Sequence, residues 1–187
     1  ETAGTTIPKL PDSTSNVLEA ATNGASDGLK LALNVGAMLI AFTALMALCD
    51  ATVGLMGSAF GQAWSLGAAL GYVFAPIAIV MGVPLEESLH VGELFGTKMV
   101  ANEFIAYSKM SEWMKPDSGV VLSERSRVIL TYSLAGFANF ASIGIQIGGI
   151  GGLVPERRKD LAKYGFRAMI GGTLACFMTA CIAGVLL

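Results

Sequence analysis

Charge is what this chain has least of. Lys, Arg, Asp and Glu make up 14% of its 187 residues, where a soluble globular domain carries about 25%. The few charges nearly cancel, leaving a net −2. Such a shortage excludes an ordinary solvated surface, and the near-balance, with basic residues scattered, excludes the groove that a nucleic acid needs, so no nucleic-acid partner is expected. Histidine is limited to His90. It follows Glu86 and Glu87 at helical spacing, but one imidazole beside two carboxylates is equally the first turn of a helix, and no metal is expected. Cys49, Cys176 and Cys181 lie inside apolar runs without ligand spacing, and they read as small core residues that leave the redox compartment unreadable. The opening segment 1–15 has no apolar core and is rich in Thr, Ser and Pro, so it is not a signal peptide.

Apolar residues fill the space that charge leaves. They amount to 53% of the chain, the mean hydropathy is +0.63, and uncharged runs occupy 31–49, 51–85, 128–155 and 168–187. Each reaches or exceeds the ~18–20 residues that cross a bilayer. The expected class is therefore all-α integral membrane protein with the lipid bilayer as its solvent. A membrane chain that opens in a polar loop reads as a piece of a longer one.

The punctuation divides it as follows. Residues 1–30 read as a polar loop and a short amphipathic interfacial segment, and 31–187 as a membrane domain. Within that domain, 31–58 is a long transmembrane helix whose Asp50 caps a kink, meets a partner helix or sits at headgroup level. Residues 64–115 form an interfacial and re-entrant hairpin region. There Pro76 is expected to break a short apolar helix, Gly82-Val83-Pro84 stops it, and a helix resumes from Leu85 with a returning arm to about Trp113. Lys115-Pro116-Asp117-Ser118-Gly119 is a turn in water. Residues 123–154 form a broken transmembrane helix entered from a cap at Ser123, and 160–187 the last one. The basic cluster Arg157-Arg158-Lys159 with Lys163 and Arg167 places the loop before that last helix in the cytoplasm, although Arg125 and Arg127 pull the other way.

Two polar constellations sit at membrane depth. Asn102-Glu103 lies between apolar arms, and an ionised carboxylate at mid-bilayer costs about 2.5–3.5 kcal/mol on insertion scales, so Glu103 is a functional candidate by default. In Gly136-Phe137-Ala138-Asn139-Phe140-Ala141-Ser142, Asn139 and Ser142 share a face if the helix is intact, and the glycines favour local unwinding. Gly144, Gly148 and Gly152 recur at a spacing that lets helix backbones meet. They follow no strand and have no acidic ribose ligand downstream, which excludes a dinucleotide loop.

The stretch Gly96-x-Lys98-x-x-x-Asn102-Glu103-Phe104-Ile105-Ala106 resembles the signature of the concentrative nucleoside transporter family, departing only in Ile105 where Val is usual. Asn16-Val17-Leu18-Glu19-Ala20, Gly136-Phe137-Ala138-Asn139-Phe140 and Pro155-Glu156-Arg157-Arg158 resemble further segments of it, and the similarity runs from Asn16 to the end. The resemblance implies a homotrimeric, cation-coupled symporter of nucleosides in a plasma membrane, a bacterial inner membrane being expected. Its fold is built of two inverted repeats with re-entrant hairpins and broken helices. Carried over residue by residue, Glu103, Phe137, Asn139 and Ser142 gather around the ribose, with Asn102 in support. The family's nucleobase-reading hairpin, with its Gly-Gln-Thr-Glu-like tip, and the cation site beside it have no counterpart here. The chain thus resembles the C-terminal half, binding no cofactor itself. It awaits the N-terminal half of the same transporter, and sodium or proton is the coupling ion of the whole.

The residue types agree with that implication. A carboxylate accepts from two vicinal hydroxyls, an amide donates to one oxygen and accepts from another, Ser adds a hydroxyl, and Phe137 offers an apolar wall, a set suited to a neutral sugar diol. A transporter or channel for another small polar solute uses the same groups. A membrane-embedded enzyme acting through Glu103 lacks a second carboxylate, an activated nucleophile or metal ligands.

Overall fold

A computed structural model describes residues 15–187, and of the polar opening segment expected at 1–15 all but Ser15 lies outside them. Among the described residues every regular element is helical. Helix α1 (Val17–Ala59) starts where the Asn16 side chain accepts the Glu19 N–H at 2.8 Å. Glu19 accepts in return from the Ser15 hydroxyl and N–H, which hold its carboxyl below the usual range. The expected division between an interfacial segment at 16–30 and a helix from 31 is corrected here: α1 is one continuous helix of 43 residues. Nothing at the junction stops it, since Ala, Leu and Lys dominate and each of Gly24 and Gly28 weakens a helix by only about 1 kcal/mol. At its far end the Phe60 and Gln62 N–H groups close on the Gly57 carbonyl, with Gly61 at φ 70°.

Asp50 resolves into one of its three readings, the meeting with a partner helix. Its carboxylate accepts the Leu66 N–H at 2.6 Å, so α1 caps the first turn of α2 (Leu66–Val80) beside the N-cap Ser65. The expected break at Pro76 does not occur, because the helix continues through it to Val80. A proline deletes a single N–H, and this one is exposed while its neighbours Ala75 and Ala78 are buried and hold the helix in place. Gly82, at φ 96°, turns the chain, and the Arg125 guanidinium donates to its carbonyl at 2.9 Å.

Helix α3 (Leu85–Val100) then runs back along α2 at backbone contact. A Cβ at Gly92 would strike the Gly71 carbonyl oxygen, and one at Gly96 the Gly67 carbonyl oxygen. Absence of side chains is what lets the two helices approach so closely. Helix α4 (Glu103–Trp113) returns beside α3 as the second arm of a hairpin. After the turn through Gly119 at φ 70° come α5 (Glu124–Leu134) and, beyond an unwound stretch at 135–139, α6 (Phe140–Leu153). A 3₁₀ turn (Pro155–Arg157) leads into α7 (Arg158–Val185), so the basic cluster expected in a loop occupies that turn and the first turns of a helix.

The core lies between α3, α4, α5 and α7, where Val91, Leu94, Phe95, Ile129, Leu130 and Phe177 are buried and the Phe95 and Phe177 rings sit 4.7 Å apart. Helix α1 stands to one side against α6, with Gly149 facing Leu31 and Val35 and Gly152 facing Asn34. Among the described residues only Pro155–Val185 is long and apolar enough to cross a membrane by itself. The apolar runs 51–85 and 128–155 are divided by the turns and the break just described.

Candidate functional site

Glu103 owes its place to Asn102. The Asn102 backbone is extended, and its side chain accepts the Ile105 N–H at 2.9 Å, so it ends the turn after α3 and starts α4 with Glu103 as first residue. Asn139 does the same for α6: its side-chain oxygen accepts the Ser142 N–H at 2.8 Å. The Ser142 hydroxyl closes the box by accepting the Asn139 N–H at 3.2 Å and donating to the Asn139 carbonyl at 2.6 Å. Asn139 is therefore not on a shared helical face with Ser142, as an intact helix would have it. It is the cap, and Ser142 is what holds the cap.

The two caps meet. The Asn139 amide, 1% exposed, donates to Glu103 Oε2 at 3.1 Å. Two helix N-termini, those of α4 and α6, thus converge on one carboxylate, and the positive ends of both dipoles favour negative charge there. Glu103 is only half-buried. Its Oε1 and the second N–H of the Asn139 amide have no hydrogen-bond partner among the described residues, while the Ser142 hydroxyl proton is already used.

Phe137 belongs to the unwound stretch and is 53% exposed. It lines a cavity of about 760 Å³ between α6 and α7, together with Ser142, Gln146, Tyr164 and Cys176. The structure therefore joins Glu103 to Asn139, with Ser142 and Asn102 as their supports, and sets Phe137 toward the adjoining cavity. His90 is not joined to acidic neighbours as a ligand set: its ring meets Trp113 edge-on at 5.4 Å, and Glu87 accepts instead from the Ser123 N–H at 3.0 Å.

Sequence reasoning missed Lys98. It is 1% exposed, and its ammonium donates to the Ser133 carbonyl at 2.7 Å, in the last turn of α5. A signal was available, because Val91, Leu94 and Phe95 share its helical face and mark it as a core-facing lysine. From the other arm of the hairpin, the Tyr107 hydroxyl donates to the Thr131 carbonyl.

Comparison with known proteins places this chain in a family. The family model described as Na+ dependent nucleoside transporter C-terminus matches residues 2–184. An uncharacterized transporter of Haemophilus influenzae is 47% identical over 172 residues, covering 91% of this chain and 41% of that protein. The nucleoside permease NupC of Helicobacter pylori is 40% identical over 171 residues, again 91% of this chain and 41% of its own length. The solved structure of a CNTnw variant in the intermediate 3 state superposes with TM-score 0.86 at 41% identity, over 97% of this chain and 45% of that one. The chain thus spans about two fifths of the length of these relatives. They are transporters, and the reading as a membrane-embedded enzyme is set aside.

Proposed function

The chain belongs to the Na+-dependent nucleoside transporter family, as its C-terminal part, and on that premise we propose that it supplies the ribose side of a nucleoside site. The observation that carries this reading is the Asn139–Glu103 contact, because it brings the two groups together and leaves one carboxylate oxygen and one amide N–H without a partner among the described residues. Two vicinal hydroxyls match that pair, one donating to Glu103 Oε1 and the other accepting from Asn139. Ser142 contributes chiefly by holding Asn139, and Phe137 by walling the site. Residues 64–115 act as the re-entrant hairpin region, 123–154 as the broken transmembrane helix and 160–187 as the last one. The whole protein is a homotrimeric symporter of a plasma membrane, the inner membrane of a bacterium, driven by sodium or proton. Its N-terminal half completes the site.

The test uses the full-length protein. Glu103→Gln keeps the size of the side chain but turns one acceptor into a donor. A hydrogen bond to a charged group is worth about 1.5–3 kcal/mol, so uridine affinity falls about 10- to 100-fold. Dideoxyuridine, which lacks both hydroxyls, is much less affected. Equal weakening of the two ligands in competitive binding rules out Glu103 as the ribose ligand.

A further inference from the structure

We infer that Lys98 is a built-in cation that finishes the broken helix and thereby positions Asn139 and Glu103; only its final step, from geometry to substrate, rests on the nucleoside reading above. Helix α5 stops at Leu134 and leaves its last carbonyls without intrahelical donors. The common remedy is a glycine in the left-handed region just past the helix end. Gly136 is not that glycine, because among the described residues only Gly61, Gly82 and Gly119 have positive φ. Gly136 is needed for space instead: a Cβ there would collide with the Cys176 sulfur and stand 3.6 Å from Lys98 Nζ. The carbonyl end is served from outside the helix, by Lys98 on Ser133 and Tyr107 on Thr131.

Tyr107 shows that a neutral hydroxyl suffices for one carbonyl, so the charge on Lys98 calls for its own explanation. A nearly wholly buried ammonium is costly unless opposite charge surrounds it. Here the negative end of the α5 dipole lies directly on it. Glu103 lies at the tip of the same hairpin, as the first residue of α4. The cation and the end of α5 thus meet at the break. Without the cation, the Ser133 carbonyl loses its donor, and residues 135–139 lose the tie that keeps them unwound where they are.

The experiment uses the full-length protein in lipid nanodiscs. Lys98→Met, neutral and of similar length, is expected to speed amide hydrogen exchange in residues 134–142 at least tenfold and to weaken uridine binding by a similar factor. In Lys98→Ala, propylammonium is expected to restore slow exchange while propanol of like size does not. Exchange in Lys98→Met at the wild-type rate overturns the inference, and so does equal restoration by propanol, since Lys98 would then only fill space. Faster exchange with unchanged uridine affinity overturns the positioning role. If Lys98→Ala does not assemble unaided, assembly becomes the readout: rescue by propylammonium alone supports the inference, and rescue by both or by neither overturns it. A wild-type protein that binds no uridine defeats the nucleoside reading while the exchange results still decide the role of Lys98.

Discussion

The two stumps of the broken helix are finished by opposite means. The start of α6 is capped from within, by Asn139 and Ser142 three residues apart. The end of α5 is capped from a distance, by Lys98 and Tyr107, which lie 35 and 24 residues from the carbonyls they serve. The first kind of cap forms whenever its own helix forms. The second exists only while both arms of the hairpin are docked, and Glu87, bonded to Ser123 at the other end of α5, adds to the same grip. Hairpin and broken helix are therefore one polar unit, and the difference between the stumps says which contacts hold it together.

The largest expected effect breaks the junction while sparing both caps. Asp caps a helix as well as Asn does, so Asn139→Asp leaves α6 in place but sets a second carboxylate about 3.1 Å from Glu103. Nucleoside affinity in the full-length protein should fall by about 100-fold or more, some 2.7 kcal/mol, with helicity unchanged. Titration with uridine alongside circular dichroism checks both halves, and affinity within a few-fold of wild type would show that the contact carries no binding.

Next in size is the space around the distant cap. Gly136→Ala drives a methyl into the Cys176 sulfur, and overpacking of this kind costs about 1–3 kcal/mol. Cys176→Ala should recover most of that loss, read as a coupling in melting temperature between the single and double variants. Simple additivity would mean that the collision relaxes elsewhere.

The smallest effects sharpen the contrast itself. Tyr107→Phe removes one bond at the end of α5, Ser142→Ala the two that its hydroxyl makes with the Asn139 backbone, and each should lower stability by about 1 kcal/mol. Tyr107→Phe should couple to Lys98→Met, because the two share one stump, whereas Ser142→Ala should add to it independently. The reverse pattern in a double-variant cycle of thermal melts would assign the caps to the wrong stumps.

Legibility followed the same division between near and far. The turn at 115–119, the cap at Ser123 and the interruption before Phe140 are written in contiguous residues, and a reader of the sequence meets them. Asp50 on Leu66, Glu87 on Ser123 and Lys98 on Ser133 join residues far apart in the chain, and no spacing rule pairs them. The closeness of α2 and α3 was not legible either, because Gly96 and its partner Gly67 have meaning together only once the helices are antiparallel. Pro76 misled because proline is judged by its own position, while here the opposite face of α2, with Gly71, Ala75 and Ala78 buried, holds the helix through one missing N–H. That Glu103 faces Asn139 came from the resemblance to a family and not from periodicity, which put Asn139 on a helix it only begins.

Helix α1, continuous over 43 residues, measures about 64 Å at 1.5 Å per residue. The hydrocarbon layer is about 30 Å thick, and even a tilt of about 40°, the upper end of what such helices show, shortens the projection only to about 49 Å. At least some 17 residues must then stand clear of the hydrocarbon at any permitted tilt. The polar first turns around Asn23, Ser26, Asp27 and Lys30 are where that surplus belongs. Gly24 and Gly28 fall in that stretch, and a Cβ at either would meet no atom of the described residues within 4 Å.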